Sequence, residues 1–522
     1  MPAPSKHSDL SAARLLGRPF GSYSDLIRAH ARERPDRIAL VEDDRRVSFA
    51  ALDAMMDRIA ASLQRDGIQP GECVAVCAAT SLEYAAVFFG ALRAGIAVAP
   101  LAPSATAESL TAMIDNAGAR ALFVDSVAAG HLAAEHGAIS AATIRLDDRE
   151  FEDWLAPAGT RPRPVELQPD APFNIIYSSG TTGTPKGIVQ PHAMRWVHAQ
   201  RAGEHGYGPD AVTLVATPLY SNTTLVSFFP AVVLGGTAVL LGKFDARRYL
   251  ELAERHRATH TMLVPVQYSR LMALPDFGRY DLSAFRMKFC TSAPFSAALK
   301  ASVLARWPGG LIEYYGMTEG GGTVVLKAHE RPDKLATVGQ PAPGHDIRLI
   351  DERGREVADG EAGEVVGHSP AMMRGYHRDP ERTREAEWHS ADGKRFIRTG
   401  DIGRFDAEGF LTLLDRRKDL VISGGFNIYP SDLEAVLAAH PDVAEAAVVG
   451  VASVRWGETP VAFVVRRWGT NSTADGLRDW ANARLGRTQR LAAVALVDEL
   501  PRNAIGKVLK RELRDNWRHP IP

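Results

Sequence analysis

The sequence predicts an α/β protein in which helices cover mostly parallel sheets. Short apolar segments alternate with helix-like segments through the first third of the chain, and turn signals separate them. The 522 residues correspond to about three domain-sized units at roughly 150 residues each. Hydrophobic residues make up 45% and charged residues 24%, which is typical of a globular protein and excludes a disordered tail protein or a small disulfide scaffold.

A helix and several strands are predicted near the start of the chain. Residues 49–63 carry apolar side chains at helical spacing, and Ser48 is positioned to cap that helix. Residues 73–77 form an apolar run that is typical of a buried strand in a helix-covered sheet. The further strands predicted in this part of the chain cover residues 96–101 and 121–124.

A second helix is predicted over residues 82–94. Thr80 and Glu83 have the spacing of a capping box at its start. Gly95 suits its C-terminal end, because glycine adopts the left-handed conformation that often follows a helix. Helix and strand therefore alternate as a parallel, helix-covered sheet requires.

Two changes in pattern divide the rest of the chain. Five prolines interrupt residues 156–172, so this segment is predicted to be an irregular surface connector. From about residue 346, short strands with glycine turns indicate a distorted barrel-like portion, and a new unit with a helix at 430–439 begins past Asp419. The remaining strands predicted here cover residues 346–350, 363–367, 409–414, 444–450 and 460–465.

The charge balance indicates no general affinity for polyanions. Lysine and arginine number 61 and aspartate and glutamate 62, a formal net charge of −1, so we expect neither nucleic acid nor an anionic membrane as a partner. No apolar stretch reaches the roughly 18 residues needed to cross a bilayer, and residues 1–10 lack the apolar core of a signal peptide. Three cysteines fit a reducing compartment, so we expect a cytoplasmic protein.

The sequence lacks the motifs that are typical of several classes of metal and cofactor site. The chain contains no His-Glu-x-x-His string, no paired Cys-x-x-Cys and no EF-hand loop, which argues against a structural zinc or calcium site. No Gly-x-Gly-x-x-Gly follows a predicted strand, so NAD and FAD are not indicated.

A segment rich in glycine and hydroxyl residues follows the predicted strand at residues 173–176. It is Tyr177-Ser178-Ser179-Gly180-Thr181-Thr182-Gly183-Thr184-Pro185-Lys186-Gly187. Glycines let the backbone approach a ligand, hydroxyls donate hydrogen bonds and Lys186 adds a positive charge, which together suit a polyphosphate. The order of Lys186 and Gly187 differs from that of a Walker loop. Composition alone leaves a flexible surface loop as an equal alternative.

The full string resembles the signature of the adenylate-forming superfamily, which contains acyl- and aryl-CoA ligases, peptide-synthetase adenylation domains and firefly luciferases. Further segments resemble motifs of that family and follow in its order. They are Tyr314-Tyr315-Gly316-Met317-Thr318-Glu319, Thr399-Gly400-Asp401, Asp415-Arg416-Arg417-Lys418-Asp419, Ser423-Gly424-Gly425-Phe426-Asn427-Ile428-Tyr429-Pro430 and Pro501-Arg502-Asn503-Ala504-Ile505-Gly506-Lys507. The resemblance covers the chain from about Ser22 onward and is greatest to the CoA-ligase branch.

The resemblance implies which residues contact ATP. Lys507, Thr318 and Glu319 are implied to be catalytic, and Glu319 supplies the hard oxygen that Mg²⁺ prefers. Asp401 is implied to accept from the ribose hydroxyls, and Arg416 to donate to ribose or phosphate oxygens. The implied ATP-binding residues are Ser178, Ser179, Gly180, Thr181, Thr182, Gly183, Lys186, Ser292, Ala293, Pro294, Glu313, Tyr314, Tyr315, Gly316, Thr318, Asp401 and Arg416.

Without the resemblance, each of these residues also has an interpretation that involves no ligand. Asp401 is also typical of a tight turn after glycine, and Glu319 of a solvated surface. Arg416 and Lys507 each lie among other basic residues, as in a solvated charged segment.

The resemblance also implies a two-step reaction and two domains. A carboxylate attacks the α-phosphate of Mg-ATP to give acyl-AMP and pyrophosphate, and the thiol of CoA then displaces AMP. Residues 1–417 are implied to form an adenylation domain that binds ATP and the carboxylate. Residues 418–522 are implied to form a small mobile α+β domain that carries the catalytic lysine and rotates about the hinge residue Lys418.

The resemblance also implies residues of a CoA site and an acyl site, although the sequence departs from the family pattern at some positions. The implied CoA-binding residues are Ser423, Gly424, Gly425, Arg93, Trp456 and Arg490, and the implied acyl-pocket residues are Tyr220, Ser221, Thr223, Thr224, Gly320 and Gly321. Thr488 stands where related ligases carry an aromatic residue, and Ser221 where many carry histidine. The glycines and small hydroxyl residues suggest room for a hydrophobic aromatic, alicyclic or medium-chain acid.

Other functions remain open from the sequence. An acyl-AMP ligase that loads a carrier protein shares the first step, and a catalytically inactive nucleotide-binding regulator would share the fold. A luciferase-like oxygenase is not distinguished from a ligase. Residues 367–371 resemble a hydrolase nucleophile elbow, although no partner histidine or aspartate is identifiable. The oligomeric state is also open, with a homodimer as one alternative.

Overall fold

The computed structural model describes residues 10–133, 141–178, 185–423, 426–453, 455–486, 489–503 and 506–518, with only the backbone of Ser178, Arg417, Phe426 and Asn427. The chain divides into two compact units that are interleaved in sequence. The first unit contains Met1–Leu335, Pro341–Asp346 and His368–Ile397, and the second contains Ala336–Gln340, Ile347–Gly367 and Arg398–Pro522. The implied domain boundary at residues 417 and 418 stays a prediction.

The described part of the chain forms both helices and strands throughout. The helices are α1 Ala12–Leu16, α2 Tyr23–Glu33, α3 Phe49–Arg65, α4 Leu82–Arg93, α5 Ala107–Ala117, α6 Ser126–Ala133, α7 Arg149–Trp154, α8 His192–Ala202, α9 Asn222–Val233, α10 Ala246–Arg255, α11 Pro265–Met272, α12 Ala297–Arg306, α13 Pro380–Glu385, α14 Pro430–Ala438, α15 Ala474–Asn482 and α16 Lys510–Asp515.

The strands are β1 Ile38–Glu42, β2 Arg45–Ser48, β3 Cys73–Cys77, β4 Ala97–Leu101, β5 Ala119–Val124, β6 Ala142–Arg145, β7 Pro172–Ser178, β8 Lys186–Pro191, β9 Val212–Val215, β10 Thr237–Leu240, β11 His260–Leu263, β12 Met287–Cys290, β13 Gly310–Gly316, β14 Thr323–Lys327, β15 Gln340–Pro341, β16 Asp346–Ile350, β17 Gly363–His368, β18 Gly375–Tyr376, β19 Glu387–His389, β20 Arg395–Phe405, β21 Leu411–Arg416, β22 Val421–Ser423, β23 Phe426–Ile428, β24 Val443–Ser453, β25 Gly457–Arg466 and β26 Ala493–Leu496.

The first unit is built on two large sheets. One has seven strands in the order β18-β8-β7-β4-β3-β5-β6, and the other has nine in the order β15-β14-β13-β12-β11-β9-β10-β1-β2. Strand β3 pairs in parallel with both β4 and β5, as the alternating pattern predicts, whereas β7 and β8 form an antiparallel pair. The predicted strand at residues 73–77 is thus an inner strand of a helix-covered sheet.

An aromatic core fixes the hairpin of β7 and β8 against helix α9. The ring of Phe173 in β7 lies 5.2 Å from that of Phe229 in α9, and the rings of Phe88 and Phe229 lie 5.1 Å apart. All three side chains are buried. Because edge-to-face aromatic packing adds to the stability of buried apolar surface, these elements hold one another rigidly.

The irregular connector predicted over residues 156–172 is present. No helix or strand occurs between Trp154 and Pro172, and this stretch lies within the described residues. It is bonded to helix α3, since Arg58 donates to the Ala156 carbonyl at 2.7 Å and Arg161 donates to Asp57 at 2.6 Å.

Helix caps differ from the prediction at one position. Ser48 caps α3 as predicted, by accepting from the amide of Ala51. Helix α4 is capped by Ser81 rather than by Thr80, and the Thr80 hydroxyl accepts instead from the amide of Leu219 at 3.0 Å. The predicted capping box was therefore wrong by one residue, because both neighbours have a hydroxyl that can cap a helix.

The predicted barrel-like portion corresponds to a five-stranded sheet. Its strands follow the order β16-β17-β20-β19, and β21 also pairs with β20. The pairing of β20 with β21 is antiparallel and places Asp401 opposite Arg416.

The end of the second unit is a sheet with helices packed on it. Strands β24 and β25 form a long antiparallel pair, and β26 adds to β25 in parallel. Buried residues on one face include Leu433 and Leu477 from helices α14 and α15. Those on the other face include Leu513 from α16. The helix and strands predicted between residues 430 and 465 are therefore present, with slightly different ends.

Two further observations concern the whole described chain. Among the described residues, no helix is both long and apolar enough to cross a membrane. Cys73, Cys77 and Cys290 are buried and free, and burial raises the pKa of the Cys73 and Cys77 thiols to about 12. They act as small apolar side chains in the core.

Candidate active site

A lysine, a glutamate and a tyrosine meet in the first unit. The Lys186 ammonium lies 3.3 Å from Oε1 of Glu319, and the Tyr376 hydroxyl donates to the same oxygen at 2.8 Å. The ammonium also lies 4.1 Å from the centre of the Tyr376 ring. Burial and the neighbouring Glu319 carboxylate raise the pKa of Tyr376 above its ordinary range, so its hydroxyl stays a donor. The structure therefore joins Lys186 to Glu319, although they lie far apart in sequence.

The β7–β8 hairpin carries the predicted phosphate loop. Ser178 and Lys186 are directly opposite in the antiparallel register, so they form the base of the connecting loop. The loop residues Ser179, Gly180, Thr181, Thr182 and Gly183 lie outside the described residues, as does the side chain of Ser178. Their predicted contacts with phosphate remain predictions.

The turn after β13 holds Thr318 and Glu319 in place by its backbone. Gln190 of β8 donates to the Thr318 carbonyl at 2.7 Å, and the Met373 amide donates to the Glu319 carbonyl at 2.8 Å. Gly320 adopts a φ of +76°, and a Cβ there would lie 2.1 Å from the Ala371 carbonyl oxygen. The conformation of this turn thus requires glycine at position 320.

The first glycine of the predicted acyl pocket is closely packed. On the side where a side chain would project, Gly320 packs against the Ala371 backbone. Gly321 is buried as well. Gly320 thus permits close backbone packing, and its place in the acyl pocket stays a prediction.

The remaining predicted acyl-pocket residues lie at the start of helix α9. The hydroxyls of Thr223 and Ser292 are 2.5 Å apart, which links the predicted acyl and ATP segments. Thr224 is bonded to Thr217 and to the Pro218 carbonyl, and Ser221 is buried in front of the helix. Tyr220 is half-buried, as are Thr291 and Ala293, while Pro294 is exposed. Ser292 itself has a φ of 83°, an uncommon backbone conformation that is often found at functional sites.

The three residues that precede Gly316 alternate between the two faces of β13. Glu313 is buried and forms an ion pair with the buried Lys300, and burial raises the pKa of its carboxyl to about 7. The Glu313 carboxylate is thus held inside the protein by Lys300, and the predicted ATP contact of this residue stays a prediction. The Tyr314 hydroxyl lies 3.0 Å from Nε2 of His205, while Tyr315 is half-buried and Gly316 exposed.

A second cluster of charged residues lies in the second unit. Arg416 Nε is 3.1 Å from Oδ1 of Asp401, across the β20–β21 pair. Asp401 lies within β20 rather than at its end, and Gly400 before it has a φ of +72°. The chain distorts at Gly400 and continues as a strand, so Asp401 does not lie in the tight turn that the alternative interpretation expects. The Asp401 side chain is 15% exposed and lies beside a cation, which suits a ribose acceptor.

Lys507 lies near this pair. Burial, reinforced by the neighbouring Arg416 and Lys418 cations, lowers the pKa of Lys507 to about 8, while Asp401 and Asp419 oppose the shift. Its backbone is held by a turn, since the Lys507 amide donates to the Asn503 side chain at 2.9 Å and the Asn503 amide donates to the Lys507 carbonyl at 3.0 Å. Ala504 and Ile505 lie outside the described residues.

Lys418 lies in a short turn between β21 and β22. Burial lowers the pKa of its ammonium, and Arg416 and Arg514 act in the same direction. The backbone of this turn is continuous with the Asp401–Arg416 strand pair. Its predicted role as a hinge is a statement about motion and stays a prediction.

The residues predicted to bind CoA have different environments. Trp456 is 47% exposed with Arg455 stacked 4.7 Å from its ring centre, Arg490 is exposed, and Ser423 ends β22. Gly424, Gly425 and Thr488 lie outside the described residues. The contacts of this group with CoA stay predictions.

The position of Arg93 contradicts its predicted contact with CoA. Its side chain is buried, and its two terminal nitrogens lie 2.5 Å from an oxygen of Asp53 and 2.8 Å from one of Asp57. A guanidinium held by two carboxylates in the interior has no exposed face for a nucleotide. Arg93 therefore joins helices α3 and α4, and the sequence does not show this because its partners lie in another helix.

The hydrolase alternative finds no support at residues 367–371. The Ser369 hydroxyl is buried and donates to the Gly320 carbonyl at 2.7 Å, and Nδ1 of His368 lies 2.7 Å from the Arg395 carbonyl. Both side chains hold backbone groups, so neither is placed as a nucleophile or a base.

Three contributors to the site were not predicted from the sequence. Gln190 and Asn174 are polar residues within otherwise apolar strands, a pattern that signals an internal hydrogen-bond network. They are bonded to each other at 3.0 Å and to the buried Arg195. Tyr376 carries no such signal, because it comes from a two-residue strand far along the chain.

Glu319 is a suitable ligand for magnesium. Its Oε1 holds Lys186 and Tyr376, while its Oε2 has no hydrogen-bond partner among the described residues. Within the described chain, no group of three His, Cys, Asp or Glu side chains could hold a metal ion. A single carboxylate suits Mg²⁺, which usually retains waters and takes phosphate oxygens as its other ligands.

Comparisons with known proteins show the family of the chain. The family model described as AMP-binding enzyme matches residues 27–377, and that of the AMP-binding enzyme C-terminal domain matches residues 432–507. Indoleacetate–CoA ligase of Aromatoleum aromaticum is 32% identical over 508 residues, which cover 94% of this chain and 97% of that protein. Fatty acid–[acyl-carrier-protein] ligase ScoC of Streptomyces coeruleorubidus is 32% identical over 498 residues, which cover 94% of this chain and 95% of that protein.

A solved structure shares the fold as well. ATP-bound MatB from Rhodopseudomonas palustris has a TM-score of 0.86 and 31% identity, and the match covers 94% of this chain and 98% of that one. The predicted α/β class and the resemblance to the acyl- and aryl-CoA ligase branch of the adenylate-forming enzymes are confirmed, and the chain belongs to the AMP-binding enzyme family.

Proposed function

We propose that this adenylate-forming enzyme is an ATP-dependent carboxylate–CoA ligase. The observation that carries the proposal is the cluster of Asp401, Arg416 and Lys507, which combines a ribose acceptor with two cations in one unit. Lys186 and Glu319 add a cation and a metal-binding carboxylate in the other unit. The presence of all five charged residues argues against an inactive nucleotide-binding regulator.

In the first step, an oxygen of the substrate carboxylate attacks the α-phosphorus of ATP and pyrophosphate leaves. Lys507 stabilises the negative charge that builds on the carboxylate and α-phosphate oxygens, as a positioned ammonium can. Asp401 and Arg416 orient the ribose, and Lys186 binds phosphate oxygens. Glu319 would hold Mg²⁺, which when bound neutralises charge on the phosphates.

In the second step, the sulfur of CoA attacks the acyl carbonyl and AMP leaves. We propose that residues 418–522 rotate about Lys418 between the steps, relative to residues 1–417. Two hydrogen bonds cross the hinge, from the Ser431 amide to Asp415 at 2.9 Å and from the Ser431 hydroxyl to the Leu414 carbonyl. Rotation would require both to break. Ser423, Gly424 and Gly425 then line the pantetheine path, with Trp456 and Arg490 nearer the nucleotide end.

We propose a hydrophobic aromatic, alicyclic or medium-chain monocarboxylate as the acid. The predicted acyl-pocket segments, residues 220–224, 290–293 and 320–322, contain no lysine or arginine that could select a second carboxylate. The names of several relatives, which are about 30% identical, specify indoleacetate, ferulate or 4-coumarate.

Pyrophosphate release measured on a panel of carboxylic acids, with and without CoA, tests the proposal. Release that depends on ATP, Mg²⁺ and one class of hydrophobic acid, together with a thioester product when CoA is present, is the expected result. Absence of acid-dependent release across the panel would contradict it.

Loading of a carrier protein is the second candidate, because the relative ScoC is named as a fatty acid–[acyl-carrier-protein] ligase. Supplying CoA and a phosphopantetheinylated carrier protein in competition separates the two. We expect acyl-CoA as the main product, and predominant loading of the carrier protein would favour the second candidate.

We also propose a cytoplasmic location, supported by the three buried free cysteines. Size-exclusion chromatography with light scattering would distinguish a monomer from a homodimer.

Replacing Asp401 with alanine should weaken ATP binding about 10- to 100-fold. This corresponds to about 1.5–3 kcal/mol, the usual worth of hydrogen bonds to a charged group. Asp401→Asn keeps one acceptor oxygen and should lose less. Isothermal titration with a non-hydrolysable ATP analogue measures both, and wild-type affinity in Asp401→Ala would remove Asp401 from the ribose site.

Adenylation should weaken as pH rises through about 8. The Lys507 ammonium is present below its pKa of about 8 and is lost above it. Since kcat/KM reports the free enzyme, its value for ATP should fall on the alkaline side of this pKa. In Lys507→Arg the guanidinium stays charged, so the alkaline decrease should disappear in whatever activity remains. The same decrease in both proteins would assign it to another group.

A further inference from the structure

Arg195 is a buried cation without an acidic partner in the described part of the chain. It lies in helix α8 and is 1% exposed. Burial lowers the pKa of its guanidinium to about 10, and Nη1 is buried with no hydrogen-bond partner among the described residues. Removing an arginine from water without a carboxylate is costly, by several kcal/mol after relaxation. Such a residue is expected to have a role beyond stability.

The guanidinium is held by three amide side chains from three elements. Its Nε and Nη2 donate to Oδ1 of Asn174 in β7 at 3.2 and 3.1 Å. Nη2 also donates to Oε1 of Gln190 in β8, and to Oδ1 of Asn222, the first residue of α9, at 2.8 Å. One cation therefore ties β7, β8 and α9 together at a single point.

These contacts fix the orientation of the Gln190 amide. Its oxygen accepts from Arg195 and Asn174, so its nitrogen must face the other way. That nitrogen donates to the Thr318 carbonyl at 2.7 Å and approaches Asn222 at 3.3 Å. The arginine thus acts on the Thr318–Glu319 turn through one intervening side chain.

The turn is joined to β8 at two points on one face of the strand. Lys186 and Gln190 are four residues apart in β8, so their side chains point to the same side. Lys186 contacts the Glu319 carboxylate, and Gln190 contacts the Thr318 carbonyl. Loss of the second contact would leave the Lys186–Glu319 ion pair as the main contact between β8 and this turn.

We propose that Arg195 is a positioning residue for acyl-adenylate formation, which holds the Thr318–Glu319 turn and the start of α9 against β8 through Gln190 and Asn222. The inference rests on the proposed function, since the turn carries the implied metal ligand. A purely structural arginine is expected to have carboxylate partners, as Arg93 has in Asp53 and Asp57. Arg93, which is also buried, is therefore a suitable control.

Four full-length variants test this role: Arg195→Met, Arg195→Lys, Gln190→Glu and Arg93→Met. Gln190→Glu keeps the acceptor for Arg195 and gives it a carboxylate partner, but replaces the donor to Thr318 by an acceptor. The assays are kcat and KM for pyrophosphate release with an acid that wild type accepts, Tm, and hydrogen exchange of peptides covering residues 316–322.

The expected result is a decrease of about 10-fold in kcat for Arg195→Met and Gln190→Glu, the scale of a small misplacement of catalytic groups. Arg195→Lys should recover part of the loss. Exchange within residues 316–322 should be faster in both impaired variants, because the turn opens more often. Arg93→Met should lower Tm without changing kcat or this exchange.

Unchanged kcat and exchange in Gln190→Glu would overturn the proposal, even if Arg195→Met fails to fold. An equal effect of Arg93→Met on kcat would overturn it too, since stability alone would then explain the loss. If wild type releases no pyrophosphate with any acid, the proposed function fails, and the exchange data still decide whether Arg195 and Gln190 hold the turn.

Discussion

Replacing Lys507 with alanine should lower the rate of acyl-adenylate formation by about 10²- to 10³-fold, the usual effect of losing one preorganised group that stabilises developing charge. Thioester formation from pre-made acyl-adenylate and CoA should remain nearly intact, because the ammonium is required only for the displacement at phosphorus. The motivating observation is the electrostatic proximity of Lys507 to Asp401 and Arg416 within the second unit. Single-turnover assays of the two half-reactions measure each effect separately.

Gly425→Leu should give the opposite pattern. By the resemblance, Gly425 lines the pantetheine path, so a leucine side chain should block thioester formation and spare adenylation. Arg478→Ala is a suitable control, since Arg478 is bonded only to Asp475 and Asp479 of its own helix among the contacts described. If Lys507→Ala and Gly425→Leu each lower both half-reactions equally, a single fixed active site is preferred to a rotating domain.

Replacing Glu319 with glutamine should raise the Mg²⁺ concentration needed for half-maximal adenylation by about 10²-fold, since a direct carboxylate ligand contributes several kcal/mol of charge stabilisation. The substitution keeps the size of the side chain and removes its charge. It also weakens the contact with Lys186, so kcat at saturating Mg²⁺ should decrease as well. The assay is initial-rate pyrophosphate release across a magnesium titration.

Tyr376→Phe distinguishes the effect of losing the metal ligand from the effect of losing the hydrogen bond to Glu319. It removes the hydroxyl that donates to Glu319 Oε1 but keeps the ring beneath the Lys186 ammonium. We expect a magnesium requirement close to that of wild type. An identical magnesium titration for Glu319→Gln and wild type would remove Glu319 from the metal site.

Much of the fold could be predicted because local signals agree with the tertiary structure. The strand at 73–77 and the helix from Phe49 were predicted from patterns that the buried core requires, and the cap of that helix from the hydroxyl of Ser48. The cap of α4 was misplaced because Thr80 and Ser81 are chemically equivalent locally. Only the contact of Thr80 with Leu219, far along the chain, distinguishes them.

The candidate site also has one part that local sequence signals predict and another that depends on contacts far along the chain. Lys186, Glu319, Asp401, Arg416 and Lys507 lie in distinctive strings, and the structure brings them into two clusters, although their catalytic roles stay predictions. Glu313 was predicted from its place directly before such a string and Arg93 from its position relative to related ligases. Burial with Asp53, Asp57 or Lys300 decides their environment. Those partners come from other elements, and no local pattern identifies them.

The interleaving of the two units has a consequence for the order in which the protein is synthesised. The last segment of the first unit ends at Ile397, so the Lys186–Glu319 contact can form in a nascent chain before Lys507 has been translated. At the usual 5–20 residues per second, the ribosome needs on the order of 5–20 s to travel from Ile397 to Lys507. During that interval a nascent chain can hold the Lys186–Glu319 contact but lacks Lys507. Translation therefore separates the formation of the Lys186–Glu319 contact from the arrival of Lys507.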